Sequence, residues 1–220
     1  MMSSPVRWAL AFAACAALVA LSVLYVDRPV ALFFRGLDLP EHMLGRALAA
    51  LLLLLPLSAA AVGASAVAAW RGAACPAWLQ TLSLAGTSCL CAYAVNDLVL
   101  KPLFGRYTVG QFVTYPHPYG FVPFGGNILS GFPSGHTALI VAFVGVCWVA
   151  VPRLRLLWGL IAAIVLATLL AAGWHFVSDE LAGVFVGAAA ARATVAAWRV
   201  RRSPSAIAYE SGRPVQRMPR

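Results

Sequence analysis

Charge is scarce in this chain. Asp, Glu, Lys and Arg make up 10% of its 220 residues, against 62% hydrophobic residues, and the mean hydropathy is +0.85. A soluble domain carries about 25% charged residues, so the shortage excludes that class and points to an integral membrane protein. Acidic residues are the scarcer sign, 7 against 16 basic ones, for a formal net charge of +9. That excess is not a nucleic-acid footprint: the basic residues are not interleaved with aromatics on a soluble face, and no nucleic-acid module is visible. The five cysteines have no zinc-motif spacing. Cys15, Cys89, Cys91 and Cys147 fall in apolar stretches and Cys75 in a short connection, so they read as small packing residues, with neither disulfide nor metal expected. No internal repeat is present.

What the chain does have is apolar length. A helix crossing ~30 Å of hydrocarbon takes ~20 apolar residues. Stretches of that kind lie near 8–26, 46–70, 78–99, 135–152, 156–174 and 180–198. The expected fold is therefore all-α, a polytopic bundle of six transmembrane helices. The first stretch is longer than the apolar core of a secretory signal and has no convincing cleavage site, so it is expected to be retained. Residues 1–198 form one membrane domain, and 199–220 an Arg-rich tail expected to be disordered and to lie on an anionic leaflet. Placing Arg7, Arg71, Arg153, Arg155 and the six arginines after residue 198 on one side satisfies the positive-inside rule with both termini cytoplasmic. Arg192 then sits near the inner end of the sixth stretch, where its stem can snorkel.

Two connections are long. Residues 27–45 mix apolar and charged residues as in an interfacial helix on the outer surface. Residues 100–134, rich in Gly, Pro and aromatics, have the length of a functional loop and suit an outward-facing flap over a site. His117 within it reads as an ordinary loop histidine.

Three polar clusters fall at the outer helix ends. In "NDLVLKPLFGR", Lys101 closes the third helix and Arg106 follows five residues later. Asn96 and Asp97 are placed to hydrogen-bond Lys101 or a neighbouring helix. In "PSGH", a helix beginning at Ser134 would point its free N–H groups and dipole outward, an anion site. Gly135 would let a ligand approach the backbone, and His136 would supply a proton. In "GWHFVSDELAG", His175 and Asp179 are four apart on one helix face, where a carboxylate can hold one imidazole N–H and leave the other nitrogen a lone pair.

Together these residues form a kit for phosphoryl transfer through a phosphohistidine. Lys101, Arg106 and the helix N-terminus would hold the equatorial oxygens, His175 would attack phosphorus, and His136 would protonate the leaving oxygen and later activate water. No cofactor is called for. A zinc site built from His136, His175 and Asp179 ranks below this, because metal sites rarely recruit a Lys and an Arg beside the ligands.

The order Lys-x4-Arg, PSGH, His-x3-Asp at the ends of apolar helices resembles the type 2 phosphatidic acid phosphatase family, which shares its site with vanadium haloperoxidases. The resemblance covers about residues 78–198 and reads like a bacterial membrane subgroup. It implies that Lys101, Arg106, Ser134, Gly135 and His136 contact phosphate, that His175 is the nucleophile and that Asp179 is its partner. Two positions depart from the family pattern. Thr108-Val109 stand where the family has Arg-Pro, so Arg106 is expected to stand in, and Leu169 stands where it has an Arg before the histidine. The resemblance implies a lipid-phosphate phosphatase of a bacterial inner membrane, with the site facing the periplasm and a lipid monophosphate or pyrophosphate in the bilayer as substrate. A phosphotransferase using the same intermediate, and a non-catalytic anion- or lipid-binding membrane protein, are the alternatives.

Overall fold

A computed structural model describes residues 4–37, 39, 41–114, 119–125 and 129–201. Among them the chain is all-helical, with no strand and only isolated bridges joining Arg106 to Phe121 and to Ser130. His117 and residues 202–220 of the tail lie outside the described residues.

Five helical stretches are long and apolar enough to cross a membrane: Pro5–Gly36, Leu44–Trp70, Ala77–Phe104, Pro152–Ala171 and Val177–Val200. This is the build of a multi-pass membrane protein. The remaining expected span is the 16-residue helix Gly135–Ala150. At 1.5 Å per residue it extends only ~24 Å, short of a ~30 Å hydrocarbon core.

The first stretch consists of α1 (Ser4–Leu21), a π turn (Ser22–Val26) and α2 (Asp27–Gly36). The segment expected to be a separate surface helix therefore begins as a continuation of the first membrane helix. Asp27 and Ala31 face inward, at 1% and 8% exposure. Residues 41–45 of that segment belong to α3 (Glu41–Ala49), which leads through a 3-10 turn into α4 (Leu54–Trp70). The third stretch has the same design as the first, with α5 (Ala77–Val95), a π turn (Asn96–Leu100) and α6 (Lys101–Phe104). Wide turns of this kind re-aim the residues that follow them. Here those residues are Asp27 and Lys101. A short helix, α7 (Val109–Thr114), lies within the long loop.

Helix α8 (Gly135–Ala150) is the hub of the bundle, packed by α5, by α9 (Arg155–Ala171) and by α10 (Val177–Arg201). Its buried face joins Leu139 and Ala142 to Cys89 and Ala92 of α5, and Val146 to Ala85 and Ala191. Small residues permit this closeness. A methyl group on Gly187 of α10 would lie 2.5 Å from the carbonyl oxygen of Ala138, inside contact distance, so α8 and α10 touch backbone to backbone. That contact fixes the two helix starts side by side, which is where the polar residues gather.

Candidate active site

The start of α8 is capped as its sequence dictates. Ser134 is extended and its Oγ accepts from the Thr137 amide at 3.3 Å. The Ser134 hydroxyl donates to Thr137 Oγ1 at 2.9 Å, and the Thr137 hydroxyl donates to Glu180 Oε2 on α10. With Thr137 capped, the amides of Gly135 and His136 are the helix-end donors left for a ligand. The Ser134 amide donates to the Asp179 carbonyl oxygen at 3.1 Å, stitching the starts of α8 and α10 together. Ser134 itself is fully buried. Its hydroxyl is engaged inside the protein rather than offered to phosphate as expected.

Lys101 reaches this helix start from the third stretch. Its Nζ donates to Asp97 Oδ1 at 2.6 Å, and Asn96 Nδ2 donates to the Pro133 carbonyl oxygen at 3.2 Å, the partnership expected of that pair. A methyl group on Gly135 would lie 3.3 Å from both Lys101 Nζ and Asp97 Oδ2. The lysine therefore stands directly over the α8 N-terminus, and Gly135 keeps the approach open.

His175 stands in the turn that precedes α10. Its Nδ1 lies 3.1 Å from the Gly131 carbonyl oxygen and 3.6 Å from Asp179 Oδ2. A carbonyl oxygen only accepts, so Nδ1 carries the proton and Nε2 holds the lone pair. The tautomer suited to a nucleophile is thus set chiefly by a backbone carbonyl, with the carboxylate further off. The His136 ring is 6.3 Å from His175 between centroids and meets Trp174 edge-on at 5.2 Å. His136 Nε2 is buried without a hydrogen-bond partner.

Arg106 departs most from expectation. It is fully buried, and both Nη atoms are engaged by protein. Nη1 donates to Asp179 Oδ1 and, at 2.6 Å, to Ser178 Oγ, while Nη2 donates to Asp27 Oδ2 at 2.8 Å and Tyr119 Oη at 3.0 Å. The guanidinium also lies 4.5 Å from the Phe176 ring centroid and 4.9 Å from that of Phe121. Burial alone would lower its pKa, but Asp179 and Asp27 outweigh that and hold it above the ordinary arginine value. Burial likewise pushes the Tyr119 hydroxyl up, keeping it a neutral donor to Asp27 Oδ2 at 2.9 Å. Arg106 thus lies buried behind the two helix starts, with its Nε left without a hydrogen-bond partner.

Asp27 closes this network. Its Oδ1 accepts from Ser178 N at 2.9 Å and Ser22 Oγ at 2.8 Å, and its Oδ2 accepts from the Ser178 hydroxyl. Asp179 Oδ2 accepts from the Phe176 amide at 2.8 Å. Two carboxylates thus cap the start of α10, where its dipole favours negative charge. The loop enters through Gly105, whose φ of +51° is a left-handed conformation and whose missing side chain leaves room for the Val122 carbonyl oxygen.

The seven residues chosen from the sequence form one continuous set: Lys101 over Gly135, Ser134 and His136 beside it, His136 facing His175, and Asp179 joining His175 to Arg106. Sequence reasoning missed Asp27, Thr137, Ser178 and Glu180. Asp27 was visible only as a carboxylate one residue beyond an apolar stretch, and Glu180 as a second acid in the first turn of α10. The two departures from the family pattern are also accounted for locally. Thr108 bonds Gln111 and starts α7, and Leu169 is fully buried against Leu48 and Ala172. Among the described residues, no three His, Cys, Asp or Glu side chains converge as metal ligands.

A family model described as the PAP2 superfamily matches residues 76–203 of this chain. No curated protein and no solved structure matches it.

Proposed function

Because the chain belongs to the PAP2 superfamily, we propose that it is a membrane lipid-phosphate phosphatase working through a phosphohistidine at His175. The observation that carries this reading is the Nδ1 contact of His175 with the Gly131 carbonyl, which leaves Nε2 as a lone pair beside His136. In the first step Nε2 bonds to phosphorus, the bond from phosphorus to the lipid oxygen breaks, and protonated His136 gives that oxygen its proton. In the second, a water oxygen attacks phosphorus, its proton returns to His136, and the P–N bond breaks to release phosphate. Lys101 and the Gly135 and His136 amides supply the positive field for the equatorial oxygens. In this reading Arg106 and Ser134 act from behind, fixing the helix starts that carry the two histidines.

The substrate class follows from placement. The site lies at the ends of apolar helices, where lipid headgroups reside, so a lipid monophosphate or pyrophosphate is the natural ligand. With both termini cytoplasmic, the site faces the periplasm of a bacterial inner membrane. A second reading, an anion-binding membrane protein without chemistry, draws on the pairing of both Arg106 Nη atoms with Asp179 and Asp27. Phosphate release from a panel of lipid mono- and pyrophosphates, measured with EDTA present and beside His175→Ala, separates the two. Chelator-resistant release lost in the variant supports the phosphatase. Binding without release supports the second reading.

A further inference from the structure

The carboxylate of Asp97 is only half used. Its Oδ1 accepts from Lys101 Nζ at 2.6 Å, while its Oδ2 is buried and has no hydrogen-bond partner. That second oxygen borders the start of α8: a methyl group on Gly135 would lie 3.3 Å from it and 3.4 Å from Asn96 Nδ2, which donates to the Pro133 carbonyl. The Lys101 and Asp97 side chains remain 19% and 20% exposed, so a ligand can reach the pair. A carboxylate oxygen can only accept, and a buried acceptor without a donor is unfavourable. Yet this one adjoins the Gly135 and His136 amides, where an anion is expected, and the oxygens of a fully ionised anion also only accept.

Charge sharpens the conflict. The hydrogen-bonded residues around the histidines include two cations, Lys101 and Arg106, against four carboxylic side chains, Asp27, Asp97, Asp179 and Glu180. Arg106 is paired with Asp27 and Asp179, and Lys101 with Asp97, so neither cation is free of a carboxylate. On α8, His136 lies close enough to feel the charge of both Lys101 and Asp97. Helix α4, which also packs on α5, carries no charged residue.

We infer that Asp97 contacts the ligand and makes the site select a phosphate group that still carries a proton. The P–OH donates to Asp97 Oδ2, while the other oxygens take Lys101 Nζ and the amides of Gly135 and His136. The inference rests on the anion site of the proposed function and adds the form in which the substrate is bound. A phosphomonoester gives up its last proton at about pH 6, so a lipid monophosphate is taken as its monoanion. Inorganic phosphate keeps a P–OH across the neutral range and is a ligand of the same kind. Sulfate has the same shape and no proton to give, and the unpaired oxygen rejects it.

Calorimetric titration of the full chain in an uncharged detergent, with inorganic phosphate and separately with sulfate, tests this without turnover. Its outcome is therefore independent of whether the protein hydrolyses a lipid phosphate. At about pH 8 both ions are chiefly dianions and only phosphate carries a proton, so charge is matched. The wild type should bind phosphate at least ~10-fold more tightly than sulfate. Asp97→Asn, whose amide donates as well as accepts, should bring the two within roughly twofold, chiefly by gaining sulfate. Asp97→Ser, which offers a hydroxyl donor, should do the same. Both variants free Lys101 and so strengthen both ions, which leaves the ratio as the report on the proton. Arginines of the tail attract either dianion and create no preference for phosphate. Equal binding of the two ions by the wild type overturns the inference, as does binding of neither. So does an unchanged ratio in the Asp97 variants, with thermal unfolding showing that each is folded when scored.

Discussion

His175 Nδ1 and the Gly131 carbonyl oxygen, 44 positions apart in sequence, lie 3.1 Å from each other. The residue before α10 is thereby oriented by the loop before α8, which itself pairs with Arg106 through the Gly131 amide at 3.0 Å. The imidazole is held from the Nδ1 side, so its free nitrogen and the His136 ring share one space. The local consequences of this arrangement can be tested one residue at a time.

His175→Ala should abolish turnover while leaving the fold intact, because no buried ion pair is lost. A purified variant with wild-type thermal unfolding and activity reduced by ~10³-fold or more is the expected result for a lost nucleophile. Activity within a few fold of wild type would remove His175 from the chemistry.

Arg106→Ala should fail first in stability. Removing one partner of a buried ion pair costs ~3–5 kcal/mol, and here two carboxylates would be left buried together. Detergent-solubilised protein should unfold at distinctly lower temperature, with activity falling alongside. A variant with wild-type unfolding and only a slower rate would instead put Arg106 on the substrate.

Asp27→Asn tests the same network from outside the family-matched region. It keeps the shape and removes the charge that Arg106, Tyr119 and Ser178 share. Destabilisation of ~1–3 kcal/mol is expected, in the range for hydrogen bonds to a charged group. Unfolding midpoints of wild type and variant measure it.

Lys101→Met should leave unfolding nearly unchanged, since the lysine is partly exposed and paired only with its neighbour Asp97, while kcat/KM falls by ~10²-fold or more. Gly135→Ala should act in the same direction but less strongly, because its methyl group would crowd Lys101 Nζ and Asp97 Oδ2 at 3.3 Å. Steady-state kinetics on one lipid phosphate compares both.

Leu169→Arg restores the charge that the family pattern has at this position. The side chain is fully buried against Leu48 and Ala172, so the arginine would enter an apolar cluster without a partner. Loss of folded protein, seen as aggregation on size-exclusion chromatography, is expected rather than faster turnover.

The helices were legible in the sequence because membrane spans announce themselves by length and apolarity, and the residues of the three motifs were legible because each motif is local. What joins them was not. Asp27 meets Arg106 across 79 positions and Ser178 across 151, and no spacing rule reaches that far. The surface helix expected over 27–45 passes over the same residue: Asp27, at the end of an apolar run, has as its partner an arginine buried in the loop. The surroundings of Arg106 are hidden for the converse reason: its cationic head suggests phosphate, and only the placement of two carboxylates around it shows where the charge is balanced. Asn96 and Asp97 were placed correctly because their partners lie within one turn or at the adjacent helix start.

The most direct test of the account is to trap the intermediate. Full-length protein is mixed with a lipid phosphate in detergent, quenched in base within the first turnover, digested and mapped by mass spectrometry. The account predicts one base-stable, acid-labile phosphoryl group on His175, absent from His175→Ala and formed more slowly in His136→Ala, which lacks the acid of the first step as well as the base of the second. Phosphate release with no phosphoryl group on His175, or a phosphoryl group on any other side chain, would contradict it.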